Sequence, residues 1–413
     1  KEGLTWHDSE KITADDVVFT IKTAQDSRMK SPKRASWDGV GVEKIDERTV
    51  HFTLAKPYAP FLENMTMGIL PEHIWKTVDV NRFDTSKYNR EPIGSGPYRI
   101  DSIKTTTKDG EEIPVSYTLK AFKNFSLGTP FITTITFNFA RNEEELLSFL
   151  EKGTVDAVNS ISHEKGKILT ERGYRVEHVA LPRVLAVFFN QNEAPIFTDI
   201  AVRTALLESI DKQRLIDTAL AGYGTPLNTF LPLTTMKEEA EKAPVDRLAS
   251  ARAILENAGW KFDETVNLWT KKEKKETHTL RLSLATSEAS ELKTVAQELK
   301  TVWELLGIPV DVRIFATGDF KETVVRPRKF EALFFGQVLG RDGDPYPFWH
   351  SSQRIDPGLN ITSYANARVD KILDDARAET DTEKRQELYR DFKKELARDI
   401  PGIPLYAPEF LYI

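Results

Sequence analysis

Residues 330–349 read FEALFFGQVLGRDGDPYPFW. The first part, Phe330 to Phe335, is an apolar run of the kind expected of a strand buried on both faces. The second part is its opposite. From Gly336 to Trp349, three glycines, two aspartates and an arginine stand beside two prolines and three aromatics. A buried strand that ends in such a loop fits an α/β sheet, where ligands collect at the carboxyl ends of strands.

The flanking pattern agrees. Over residues 191–405, helices alternate with strands at α/β spacing. Helices are expected at 198–217, started by Thr198 or Asp199, at 246–258, stopped by Gly259, and at 288–306, stopped by Gly307. Strands are expected at 278–285, 308–315 and 330–338, with a short helix near 318–325. Two charged amphipathic helices, at about 366–378 and 382–398, close the region.

Upstream the character changes. PYRIDSIK (97–104), VSYTLKAF (115–122), FITTITFNFA (131–140) and VLAVFFN (184–190) carry the β-branched and aromatic alternation of strands. One helix interrupts them at 141–153, capped by Asn142 and stopped by Gly153. Residues 1–92 open with a helix behind Thr13, whose first turn holds Asp15 and Asp16 and whose apolar face holds Val17, Val18 and Ile21. A strand comes next, alternating at Val50, Phe52 and Leu54. The last strand, IPLYA (403–407), resembles the earlier strand-rich region. The chain is therefore expected to leave that region at Asn190–Gln191 and return at Leu405–Tyr406. Two adjacent crossings of this kind make a hinge, and the cleft beside a hinge is a natural ligand site.

Composition narrows the function. The chain has 413 residues, enough for two or three domains, with 40% hydrophobic and 29% charged residues. Its net charge of −6 favours neither nucleic acid nor anionic lipid. The densest basic run, TKKEKKE (270–276), reads as a solvated hairpin or loop. The absence of cysteine excludes disulfides, thiol catalysis and thiolate metal sites. Seven histidines show no metal-ligand spacing, and neither a nucleotide fingerprint nor a nucleophile motif is present. No cofactor, metal or catalytic residue is expected. The sequons at Asn64, Asn124 and Asn360 read as chance matches. No apolar run of about 18 residues is present. Both ends of the sequence read as mid-domain, so the expectation is a fragment of a longer protein.

The loop after Phe335 concentrates the unusual chemistry. A carboxylate at a cleft mouth, Asp342 or Asp344, can bind a ligand ammonium through a charge-assisted hydrogen bond. Phe335, Tyr346, Phe348 and Trp349 can supply apolar or stacking walls. The competing reading is a turn held by aspartate caps and glycines, closed by an aromatic plug.

Several stretches together resemble the family 5 extracellular solute-binding proteins, the peptide- and nickel-type receptors of ABC importers. These are LTWHDSEKITADDVVFTIKTAQD (4–26), GSGPYRI (94–100), LEKGTVDAV (150–158), FFNQNEAPIFTDIAVRTALLESIDKQRLI (188–216), ARAILENAGW (251–260) and LFFGQVLGRDGDPYPFWHSSQ (333–353). They run in order over essentially the whole chain. One departure is Gln337, where an aromatic is frequent in the family.

The resemblance implies an α/β, type II periplasmic-binding-protein-like fold, with two lobes joined by a hinge and an extra α+β domain. It would divide the chain into the extra domain (1–92), lobe I (93–190 with 406–413) and lobe II (191–405). It implies a ligand set of Asp342 or Asp344 for a peptide's N-terminal amine, with Gly340, Arg341, Tyr346 and Gln337 around it. Arg328, with Arg326 nearby, would meet a ligand carboxylate. The implied partners are a short peptide or similar small solute and an ABC permease, at a periplasmic or cell-surface location. The alternatives left open are a nickel chelate, an oligosaccharide or an opine in the same kind of receptor, or a hydrolase using carboxylate chemistry.

Overall fold

The computed structural model describes residues 1–108, 110–231, 246–273, 276–339 and 343–413. The chain forms two compact units: Lys1–Lys56 with Asn64–Val158, and Pro57–Glu63 with Asn159–Ile413.

In the first unit the helix behind Thr13 forms as its sequence dictates. It spans Ala14–Gln25 and starts in a capping box. The Thr13 hydroxyl accepts from the Asp15 N–H at 3.2 Å, and the Asp16 carboxylate accepts from the Thr13 N–H at 2.8 Å. Asp16 is buried and also accepts from the Glu72 N–H at 2.8 Å, so one carboxylate caps one helix and docks the start of another. Trp6, Ile21, Trp37 and Trp75 form the buried apolar contents of this region. Two antiparallel sheets complete the unit. One is the hairpin of Val40–Asp46 and Thr49–Leu54; the other orders Tyr98–Lys108, Glu111–Ala121 and Thr134–Asn138.

The second unit is built on one mixed sheet. Its strands are β1 (Glu177–Ala180), β2 (Arg183–Phe189), β3 (Gly224–Pro226), β4 (Leu282–Ser287), β5 (Val310–Phe315), β6 (Ala332–Val338) and β7 (Gly402–Tyr412). The order is β5-β4-β6-β2-β7-β1, with β3 on the flank of β7. Strand β4 pairs in parallel with β5 and β6, whereas β6 runs antiparallel to β2 and β2 to β7. Side chains of β2 alternate between two cores. Leu185, Val187 and Phe189 enter the one that also holds Leu284, Phe334, Trp260 and Trp303. Val184, Ala186 and Phe188 enter the other, with Leu333, Phe230, Trp349, Leu373 and Phe392. Helices therefore cover both faces of the sheet.

Several local expectations shift. The helix expected at 198–217 is two helices, Ile200–Glu208 and Lys212–Leu220, each begun by an aspartate cap, Asp199 and Asp211. The strand expected at 278–285 is divided between a hairpin strand, Glu276–Thr279, and β4. The middle of TKKEKKE, Lys274 and Lys275, lies outside the described residues; its ends belong to the strands Leu268–Glu273 and Glu276–Thr279, which pair antiparallel. The last strand runs to Tyr412, well past the expected 407. The unit boundaries do not coincide with the division expected at 92, 190 and 405, which stands as a proposal about domains.

Candidate functional site

Strand β6 delivers the carboxylate loop. Gly340, Arg341 and Asp342 lie outside the described residues. Beyond them Gly343 has φ +68°, a backbone region that favours glycine. Asp344 is buried. Its Oδ1 accepts from the Tyr346 N–H at 3.1 Å, holding the turn that leads into the short helix Tyr346–Trp349. Its Oδ2 accepts from Arg377 Nε at 2.9 Å and from a terminal nitrogen of the same guanidinium at 2.6 Å. Arg377 comes from the helix Ala367–Ala378.

Arg377 is itself enclosed. Its guanidinium carbon lies 3.6 Å from the centre of the Tyr346 ring and 5.2 Å from that of Tyr58. Its carbonyl accepts from the Ala59 N–H at 2.7 Å, fixing the segment Pro57–Glu63 to this helix. Burial opposes the charge, but the Asp344 carboxylate and the two tyrosines outweigh it, and the Arg377 pKa is raised. The result is a brace of one carboxylate, one guanidinium and two aromatic faces. Sequence reasoning missed Arg377 and Tyr58. In sequence Arg377 is one charge on an amphipathic helix, with no local sign of a buried partner.

The other expected site residues have different surroundings. Tyr346 belongs to this brace and stacks on His350, ring centres 4.2 Å apart. Gln337 pairs with Val184 across the β6–β2 ladder, is 4% exposed, and neither end of its amide has a partner among the described residues. Arg328 stands at φ +55° and donates to the carbonyls of Arg326 at 2.5 Å and Gly358 at 2.6 Å, which fastens the 353–358 turn. Burial lowers its pKa. Arg326 pairs with Glu322 at 2.7 Å and with Asp356 at 3.5 Å. Asn360, the third sequon, is fully buried and holds the Tyr364 backbone through both ends of its amide, a structural position.

The four expected hinge residues are internal to the second unit. Asn190 comes directly after β2; its backbone N–H donates to the Glu331 carbonyl, and its side chain donates to the Arg328 carbonyl, both at 2.8 Å. Leu405 and Tyr406 lie in β7 at a register shift against β2, and the Tyr406 hydroxyl donates to Glu291 at 2.8 Å. Gln191 lines a polar cavity of about 460 Å³ with Arg203, Tyr364 and Asp399. The charged groups there are already engaged: Arg203 donates to the carbonyls of Phe197, Asp399 and Ile400, while Asp399 accepts from Tyr364 and Asn366. Among the described residues, no cluster of three histidines or carboxylates could hold a metal ion.

Residues 1–355 match the model for the bacterial extracellular solute-binding proteins, family 5. The chain belongs to this family. It is accordingly a solute-binding receptor of the ABC importer type, not an enzyme, and its class is extracytoplasmic. No helix among the described residues is long and apolar enough to cross a membrane.

Relatives cover nearly the whole chain. The oligopeptide-binding protein AppA of Bacillus subtilis (strain 168) is 28% identical over 424 aligned positions, covering 99% of this chain and 74% of the relative. The dipeptide-binding protein of Escherichia coli (strain K12) is 21% identical, covering 98% of this chain and 76% of the relative. Among solved structures, the Bacillus subtilis AppA in complex with a nonapeptide aligns with a TM-score of 0.83 at 25% identity, over 100% of this chain and 81% of that one. NikZ from Campylobacter jejuni, in complex with Ni(L-His), aligns at 0.81 and 24% identity over 100% of this chain and 80% of that one, a likeness of fold. The fold is thus the α/β, type II periplasmic-binding-protein-like one that the resemblance implied.

Proposed function

We propose that this receptor captures short peptides in extended form and delivers them to an ABC permease, from a periplasmic or cell-surface location. The observation that carries the reading is the overhang of β6. Strand β4 pairs with it at Ala332 and Leu333 and ends at Ser287, while β6 continues to Val338. On that side the last residues of β6 have no strand neighbour among the described residues, and Val338 is 55% exposed. An extended peptide can satisfy such an edge through its own backbone groups, with affinity independent of side chains.

The chemistry at the end of the edge supports the same ligand. Asp344 is committed to Arg377 and Tyr346. In this proposal Asp342 takes the peptide's ammonium group, with Gly340, Arg341 and Tyr346 beside it. The names of the relatives, oligopeptide- and dipeptide-binding proteins, agree with it.

The test is titration calorimetry of the full chain with alanine peptides of two to nine residues, set against a nickel–histidine complex and an opine. Saturable peptide binding with no response to the other two is expected. Binding of the complex or the opine, and of no peptide, would overturn the assignment.

A further inference from the structure

We propose that Gln337 is a specificity-determining residue that reads an uncharged amide group of the bound ligand. The inference rests on the peptide-receptor reading and names the group that one subsite must meet.

Gln337 is 4% exposed, and its amide nitrogen and oxygen both lack a partner among the described residues. Buried polar side chains are nearly always satisfied, so two orphaned atoms on one side chain mark a missing partner. The described surroundings offer none. By the alternation of a strand, Phe335, Gln337 and Leu339 share one side of β6. Leu339 is buried in the apolar core beside that side, and Phe335 packs against it. The strand partner, Val184, belongs to the same core. Within β2, β6 and that core, the neighbours are apolar.

Position adds the second argument. Gln337 is the penultimate residue of β6, on the overhang that β4 does not accompany, directly ahead of the carboxylate loop. A group that reaches this edge from outside the described structure is the natural partner.

The pattern of free atoms selects the chemistry. The nitrogen donates and the oxygen accepts. A ligand carboxylate satisfies only the nitrogen, and an ammonium group only the oxygen. The N–H and C=O of one residue of an extended peptide, which point to the same side, or an asparagine or glutamine side chain, can satisfy both at once.

The experiment is an ester scan. Pentaalanine and its analogues, each with one amide replaced by an ester, are titrated into the full chain and into Gln337→Met, which keeps the length of the side chain. An ester removes one donor without changing shape. For the wild type, one position is expected to lose about tenfold in affinity beyond its neighbours, the scale of one buried hydrogen bond. In Gln337→Met that excess should disappear while the other positions keep their losses. Thermal unfolding of Gln337→Met should match or exceed the wild type, because the variant removes two unsatisfied atoms. An unchanged ester profile in Gln337→Met overturns the inference and leaves the peptide reading standing. Failure of every peptide to bind the wild type overturns the reading and the inference together.

Discussion

Two guanidinium nitrogens of Arg377 donate to one carboxylate oxygen of Asp344, at 2.6 and 2.9 Å, with both side chains largely withdrawn from solvent. Two aromatic rings cover the guanidinium. The pair joins the carboxylate loop to the helix Ala367–Ala378, and through Ala59 to the segment Pro57–Glu63. Removing one partner leaves the other charge buried without compensation, which costs about 3–5 kcal/mol. Arg377→Met and Asp344→Asn are each expected to lower stability in chemical denaturation by an amount of that order. The double variant should lose clearly less than the sum, with a coupling of about 1–3 kcal/mol. Additive losses would show that the pair is incidental.

The two aspartates of the loop should separate by phenotype. Asp344 braces the turn, so Asp344→Asn should lower stability first and peptide affinity second. Asp342→Asn should leave the unfolding midpoint nearly unchanged. It should weaken peptides with a free amino terminus by roughly ten- to hundredfold, the scale of a charge-assisted hydrogen bond. An acetylated peptide should bind Asp342→Asn and wild type alike. Equal losses for free and acetylated peptides would remove Asp342 from the role.

What the residues disclosed in advance was local. Thr13, Asn142, Gly259 and Gly307 cap or stop helices within a residue or two of expectation, because each acts on backbone groups of its own turn. The turn that Asp344 holds after β6 was legible for the same reason. Partner choice was not. VLAVFFN looks like one more strand of the region before it, yet its apolar residues fill both faces of the second unit's sheet between β6 and β7. Nothing within seven residues records which strands will flank them. The helix expected at 198–217 breaks at Ser209 and Ile210, both buried, where Asp211 starts a new turn. Arg377 lay beyond reach altogether, since the carboxylate that gives it meaning is 33 residues away.

The capping box at Thr13 gives a clean local test. Thr13→Ala removes one side-chain acceptor and leaves the Asp16 half of the box in place. A loss of about 1 kcal/mol is expected from capping. Hydrogen exchange in Ala14–Gln25 should quicken, while the helix Ser290–Leu305 of the other unit should keep its protection. Equal acceleration in both would refute a local effect.

Asp199 should impose a measurable pH dependence on stability. Its Oδ2 accepts from Lys271 at 2.9 Å and from the Trp260 indole at 3.0 Å, and its Oδ1 accepts from the Ala201 N–H at 2.9 Å. Burial pushes its pKa up, but these three donors and the Lys271 charge outweigh it, and the pKa falls below the ordinary 3.8. The sign comes from linkage. A carboxyl held below its unfolded value binds fewer protons when folded, so its contribution is complete above about pH 4 and fades as the pH drops through the folded value. Asp199→Asn keeps an oxygen for the helix cap and an acceptor for Trp260 but loses the charge facing Lys271. The melting temperature of Asp199→Asn should therefore fall below that of the wild type between pH 5 and 7, and the gap should narrow as the pH drops below 4 and through the folded value. A gap that stays constant from pH 7 to pH 3 would mean that the charge on Asp199 does not stabilise the fold and that only its hydrogen-bond geometry matters.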